Sequence, residues 1–114
     1  MADPRKEAFA TTSKTIIKNL ERAGMEGYFC ATSADARELV KSLVPEDSSI
    51  AWGGTETFKE TGVKEMLEAG AYTMLDRAKA ATPEEQRAIY LQHFDSDFFF
   101  MSANALTLKG ELVN

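Results

Sequence analysis

Apolar side chains recur at helical spacing from Arg5 to Arg22. Phe9, Ile16, Ile17 and Leu20 fall close to one face, which predicts an amphipathic helix with Gly24 as its stop. The apolar, aromatic run Tyr28-Phe29-Cys30-Ala31 predicts a first strand. Thr32 and Asp35 then match a capping box. They open a helix whose Ala36, Leu39, Val40 and Leu43 form a buried stripe and which Pro45 ends. Ser49 to Trp52 predicts a second strand, with Ile50 and Trp52 on one face, running into Gly53-Gly54-Thr55. Two short helical pieces follow, Glu56 to Glu60 and Val63 to Ala69, broken at Gly62 and closed by Gly70. Ala71 to Leu75 predicts a third strand. Thr82-Pro83-Glu84-Glu85 has a hydroxyl N-cap, proline at the first helical position and glutamate at the third, so a helix runs from there to about Phe94. Phe98 to Met101 predicts a fourth strand, apolar without alternation as expected when both faces are covered. Ala105 to Val113 predicts two short strands around Lys109-Gly110.

Strands alternating with helices in this way predict an α/β fold: a mostly parallel sheet between helices, with the four strands in one sheet and a terminal hairpin. With 114 residues the chain has the length of one domain. Hydrophobic residues at 44% and charged residues at 27% are ordinary globular values and exclude a disordered chain. The longest stretch free of Asp, Glu, Lys and Arg, Phe98 to Leu108, is 11 residues, whereas a membrane span needs roughly 20. Residues 1–6 carry no apolar core behind their charges, so no secretory signal is read there. A net charge of −5 argues against a general nucleic-acid binder, since phosphate neutralisation needs clustered Lys and Arg.

Cys30 is the only cysteine and His93 the only histidine, so this chain alone forms no disulfide and no Cys-ligated zinc or iron–sulfur site. No stoichiometric iron or zinc is expected in it. No serine stands in a nucleophile-elbow sequence. The expected compartment is the reducing cytoplasm.

Ligands of open parallel sheets bind beyond the carboxyl ends of the strands. Those ends lead here to Thr32-Ser33, to Gly53-Gly54-Thr55-Glu56-Thr57, to Asp76-Arg77 and to Ser102-Ala103-Asn104. Gly53 and Gly54 let the backbone approach a ligand closely and take positive φ, and Thr55 can cap a helix whose free N–H groups favour an anion. The alternative is a tight strand-to-helix turn and nothing more. It is neither a Walker motif nor a full dinucleotide fingerprint. Asp76 and Arg77 either pair with each other or with helix ends, or Arg77 clamps a carboxylate or phosphate. Asn104 serves a ligand or holds its loop. Glu111 is a candidate base or a solvated hairpin glutamate. His93, on the last predicted crossover helix, is read as structural and topologically remote from the strand ends, and Cys30 as an inert small hydrophobe.

Five blocks carry a resemblance: Trp52-Gly53-Gly54-Thr55-Glu56-Thr57-Phe58, Glu60-Thr61-Gly62-Val63, Leu75-Asp76-Arg77, Ser102-Ala103-Asn104-Ala105-Leu106-Thr107 and Gly110-Glu111-Leu112-Val113-Asn114. In this order they resemble the LUD-domain family of lactate-utilisation proteins, in its small, cluster-free form. The resemblance implies a three-layer α/β/α fold similar to the sugar-phosphate isomerase and coenzyme A transferase-like superfamily. It implies a cytoplasmic role in oxidising L-lactate to pyruvate, beside partner proteins that carry iron–sulfur clusters. It carries over a site region, Gly53, Gly54, Thr55, Asp76, Arg77, Asn104, Glu111 and Asn114, without an assigned mechanism. Family domains continue past the block that ends at Asn114, so the resemblance also implies the N-terminal half of such a domain. An uncovered apolar surface would then favour a two-fold homodimer over Phe98 to Leu108.

Three functions follow as expectations. The first is an accessory component of lactate oxidation that binds a small anion through Gly53, Gly54, Thr55, Thr57, Arg77, Ser102, Asn104 and Asn114. The second is an isomerase- or transferase-type enzyme on a phosphorylated or acyl substrate, with Asp76 or Glu111 as general base. The third is a pure interaction subunit.

Overall fold

Apolar side chains in the middle of the chain pack around a buried core, and the order of the strands there follows from how they pair. The computed structural model describes residues 4–114. They divide into two units: Ser33–Ser102, and the described residues up to Thr32 together with Ala103–Asn114.

The Ser33–Ser102 unit contains α2 (Ser33–Leu43), β1 (Ser49–Trp52), α3 (Glu56–Glu60), α4 (Val63–Ala69), β2 (Thr73–Met74), a 3-10 turn (Arg77–Lys79), α5 (Pro83–His93) and β3 (Phe98–Phe100). The three strands form a parallel sheet in the order β2-β1-β3. Ile50 pairs with Met74 on one side and Phe98 on the other. The start of the β1–β3 pairing is pinned by side chains: Ser49 N–H donates to Asp97 Oδ2 at 2.8 Å, and Asp97 N–H donates to Ser49 Oγ at 2.8 Å.

Val44, Ile50, Phe58, Val63 and Leu67 make the buried core, with Val40, Trp52, Phe98 and Phe100 packed against it. Phe58 stacks on Phe100 with centroids 4.9 Å apart. Successive strand side chains point to opposite faces, so Phe99 turns away from this cluster. Its ring meets His93 of α5 at 6.1 Å. Coverage of that second face is partial: Phe99 is 51% exposed, against the expectation that both faces of this strand are covered. α5 meets this face through His93, whose ring stands edge-on to Phe99 and leaves half of it open.

The local signals in this unit act as read. Thr55 Oγ1 accepts from Phe58 N–H and caps α3. Gly62, at φ 81°, separates α3 from α4 in a left-handed conformation that suits glycine. Thr82 Oγ1 accepts from Glu85 N–H at 3.2 Å and Pro83 opens α5.

In the other unit, α1 (Pro4–Arg22) ends where Gly24 takes φ 85° and Met25 N–H reaches back to Leu20 C=O at 3.0 Å. That is the six-to-one bond of a Schellman stop. The antiparallel pair β4 (Ala105–Leu106) and β5 (Leu112–Val113) is the expected hairpin. The predicted strand Tyr28–Ala31 does not form. Its composition suits a sheet, yet a strand exists only where a neighbour accepts its ladder. Here Gly27 is packed so closely on Ile17 of α1 that a Cβ would stand 3.0 Å from that side chain. Tyr28 OH donates to Glu26 at 2.7 Å, which pushes the phenol above its ordinary pKa. Thr32-Ser33 is therefore no strand end.

Gly110 holds the hairpin turn at φ 81°, and a Cβ there would lie 3.0 Å from the Leu20 backbone nitrogen. Asn19 Nδ2 donates to Leu108 C=O at 2.7 Å on the same contact. Gly110→Ala adds backbone strain and a clash, and should cost at least about 1 kcal/mol in urea unfolding of the chain.

Among the described residues no helix is long and apolar enough to cross a membrane.

Candidate functional site

β1 is central because the chain leaves it toward β2 on one side and returns, through α5, to β3 on the other. The carboxyl ends of β1 and β2 thus open side by side, the place where open parallel sheets bind ligands. A cleft of about 210 Å³ lies there. Its walls come from the turn after β1 (Gly53, Gly54, Thr55), the segment after β2 (Asp76, Arg77), Lys59 of α3 and His93 of α5.

Neither Gly53 nor Gly54 has positive φ, contrary to expectation, so the turn itself does not demand glycine. Gly53 N–H is used by the sheet, donating to Phe100 C=O at 3.0 Å, and this extends the β1–β3 ladder by one bond. Gly54 is exposed, a Cβ there would meet no atom within 4 Å, and its N–H has no acceptor among the described residues. Close approach to Gly54 is therefore open, and its amide is a free donor.

Thr55 is buried. Its Oγ1 accepts from Phe58 N–H and, at 2.7 Å, from Ser102 Oγ. Only its own O–H remains for a ligand. Ser102 thus supports Thr55 and faces an apolar depression, with Thr57, on the lining that includes Phe58 and Phe100; neither Thr57 nor Ser102 lines the cleft. Asp76 turns to a helix end: its Oδ1 accepts from Ala78 N–H at 2.9 Å. Arg77 makes no ion pair with it. The guanidinium lies over the Tyr90 ring, 5.6 Å from the centroid. Stacking of this kind fixes the plane of the group while its edge N–H donors stay available.

His93 is the residue the sequence placed wrongly. Its Nε2 stands 2.8 Å from Leu75 C=O, and the ring lines the cleft. A carbonyl oxygen only accepts, so Nε2 carries a proton and Nδ1 is the nitrogen that can take one up. A crossover helix running back along a long sheet would leave its last turn far from the strand ends. These strands are four, two and three residues long, so that distance falls within the reach of one side chain.

Asn104, Glu111 and Asn114 fall in the other unit. The backbone N–H of Asn104 donates to Val113 C=O at 2.8 Å, and Glu111 Oε1 accepts from Thr107 Oγ1 at 3.2 Å within the hairpin. Asn114 is exposed at its end.

Formal charge in the cleft balances, Lys59 and Arg77 against Glu56 and Asp76. Attraction for an anion would rest on the free guanidinium and the Gly54 amide, with Glu56 opposing. Glu56→Gln should therefore tighten phosphate binding several-fold in a calorimetric titration at low salt, an effect that fades as salt screens the exposed carboxylate.

The family model for the LUD domain matches residues 13–114, nearly the whole chain. The chain belongs to the LUD-domain family. No curated protein and no solved structure gives a match. Membership supports a role related to lactate utilisation and agrees with the α/β architecture. Of the five blocks that carry the resemblance, those with Gly53-Gly54-Thr55 and Asp76-Arg77 meet in the cleft.

Proposed function

We propose that this LUD-domain chain is an accessory component of L-lactate utilisation that binds a small carboxylate or phosphate where β1 and β2 end. The observation that carries the reading is the meeting of a free backbone donor, Gly54 N–H, with a guanidinium held by a ring instead of a carboxylate, Arg77 over Tyr90. Such a pair is suited to an anion through charge-assisted hydrogen bonds. The five residues of α3 give little helix dipole, so Arg77 takes the weight first assigned to the helix start. Electrons would pass through iron–sulfur partner proteins, because one cysteine and one histidine give this chain too few ligands for a cluster. The fold class proposed with this role is a three-layer α/β/α sheet of the sugar-phosphate isomerase and coenzyme A transferase-like type, in the cytoplasm.

Trp52 is the only tryptophan and lines the cleft, between Phe58 at 5.5 Å and the Lys64 ammonium at 5.2 Å. Its fluorescence should report titration with L-lactate or phosphate. Arg77→Gln should weaken binding roughly tenfold, about 1.4 kcal/mol, the low end for a charged hydrogen bond because Arg77 is exposed. Affinity capture from cells grown on lactate should bring down iron–sulfur proteins. Binding indifferent to Arg77, or capture of no such protein, would contradict the proposal.

One observation favours an isomerase- or transferase-type enzyme as the second reading: the imidazole of His93, held through Nε2 at Leu75 C=O, stands in the cleft wall, where such a side chain can serve as a general base. Turnover of a sugar phosphate or acyl thioester by the chain without partners would favour it over the first.

A further inference from the structure

Beside the polar cleft lies a wider hollow of about 490 Å³ that shares Trp52, Gly53, Arg77 and His93 with it. Its remaining walls are mainly the rings of Tyr90, Phe94 and Phe99. These rings are already set against one another. Tyr90 and Phe94 meet edge to face with centroids 5.5 Å apart, and Phe99 meets His93 at 6.1 Å. Yet they remain open to solvent, Phe94 at 78% and Phe99 at 51% exposure. A hollow of this size falls in the range of about 300–1,000 Å³ that holds drug-sized ligands. Lactate is much smaller and offers only a methyl group against those rings.

Arg77 stands at the junction. It lines both spaces, and its stacking on Tyr90 couples the charge of one to the aromatic wall of the other.

We propose that the site takes a carboxylate that bears an aromatic ring, its anion at Gly54 and Arg77 and its ring among Tyr90, Phe94 and Phe99. The inference rests on the anion-binding reading above and names the class of ligand for it. The Arg77 guanidinium and the Gly54 N–H fix the anion end, and an added ring would meet the edges and faces of three side chains in the arrangement aromatic groups prefer.

The test compares L-phenyllactate with L-lactate, which share the carboxylate and hydroxyl and differ by the ring. Both are titrated into the intact chain and followed by Trp52 fluorescence and calorimetry. Phenyllactate should bind about tenfold tighter or more. Phe94→Ala, at a position exposed enough to leave the fold intact, should remove most of that advantage and leave lactate affinity unchanged. Lactate binding with no gain for phenyllactate would overturn the ring site while leaving the anion reading in place. A gain that survives both Phe94→Ala and Phe99→Ala would overturn it as well. Failure of both acids to bind would overturn the two readings together, and the lactate arm tells that result from the first.

Discussion

Replacing Leu67 with alanine should lower the unfolding free energy by about 2–5 kcal/mol. Leu67 is 0% exposed and, with Ile50, is one of the largest fully buried side chains. It belongs to the cluster of Val44, Ile50, Phe58 and Val63 that joins α4 to β1. The substitution removes apolar contact and leaves a cavity whose walls are set by α4 and the sheet. Against a typical total of about 5–15 kcal/mol the loss is large. Urea unfolding followed by circular dichroism should show the midpoint falling sharply. Leu91→Ala, at a position 57% exposed on α5, should shift it far less. A Leu67→Ala midpoint close to that of Leu91→Ala would contradict this core.

Gly54→Leu should have the opposite profile, a loss of ligand with little loss of stability. The backbone at Gly54 is not in the left-handed region, and a Cβ there meets nothing within 4 Å. A leucine therefore fits the protein. It also occupies open space at the border of the cleft and crowds the one free amide in the turn. Anion affinity should fall at least about tenfold, 1.4 kcal/mol, while thermal stability stays within about 0.5 kcal/mol. Unchanged affinity in calorimetry would place the ligand elsewhere. Gly53 is less informative, because its amide belongs to the sheet and a Cβ there approaches Phe99 at 3.7 Å.

Features fixed by neighbouring residues were legible in the sequence. Thr55, Gly62, Thr82 and Pro83 set helix ends within a turn of themselves, and α3, α4 and the start of α5 lie where these residues predict. Sheet membership is not local. Tyr28–Ala31 has the composition of a strand, but Gly27 sits on Ile17 and no ladder reaches the segment. The strand-end rule found Gly53, Gly54, Thr55, Asp76 and Arg77, which do meet. It also gathered Thr57 and Ser102, whose places depend on which way α3 and the end of β3 turn their side chains. His93 was missed because its place depends on strand length. A polar residue in the last turn of the crossover helix before a very short strand is the signal that would have found it.

The central claim is that an anion binds at the turn after β1, and amide NMR of the isotopically labelled chain tests it directly. Titration with L-lactate and, separately, phosphate should move the amide resonances of Gly53 to Thr57 in a saturable way at millimolar ligand, with Gly54 among the largest shifts. Resonances of the terminal hairpin, β4 and β5, should stay still. A folded spectrum in which the Gly53 to Thr57 amides do not move with either anion would contradict the account.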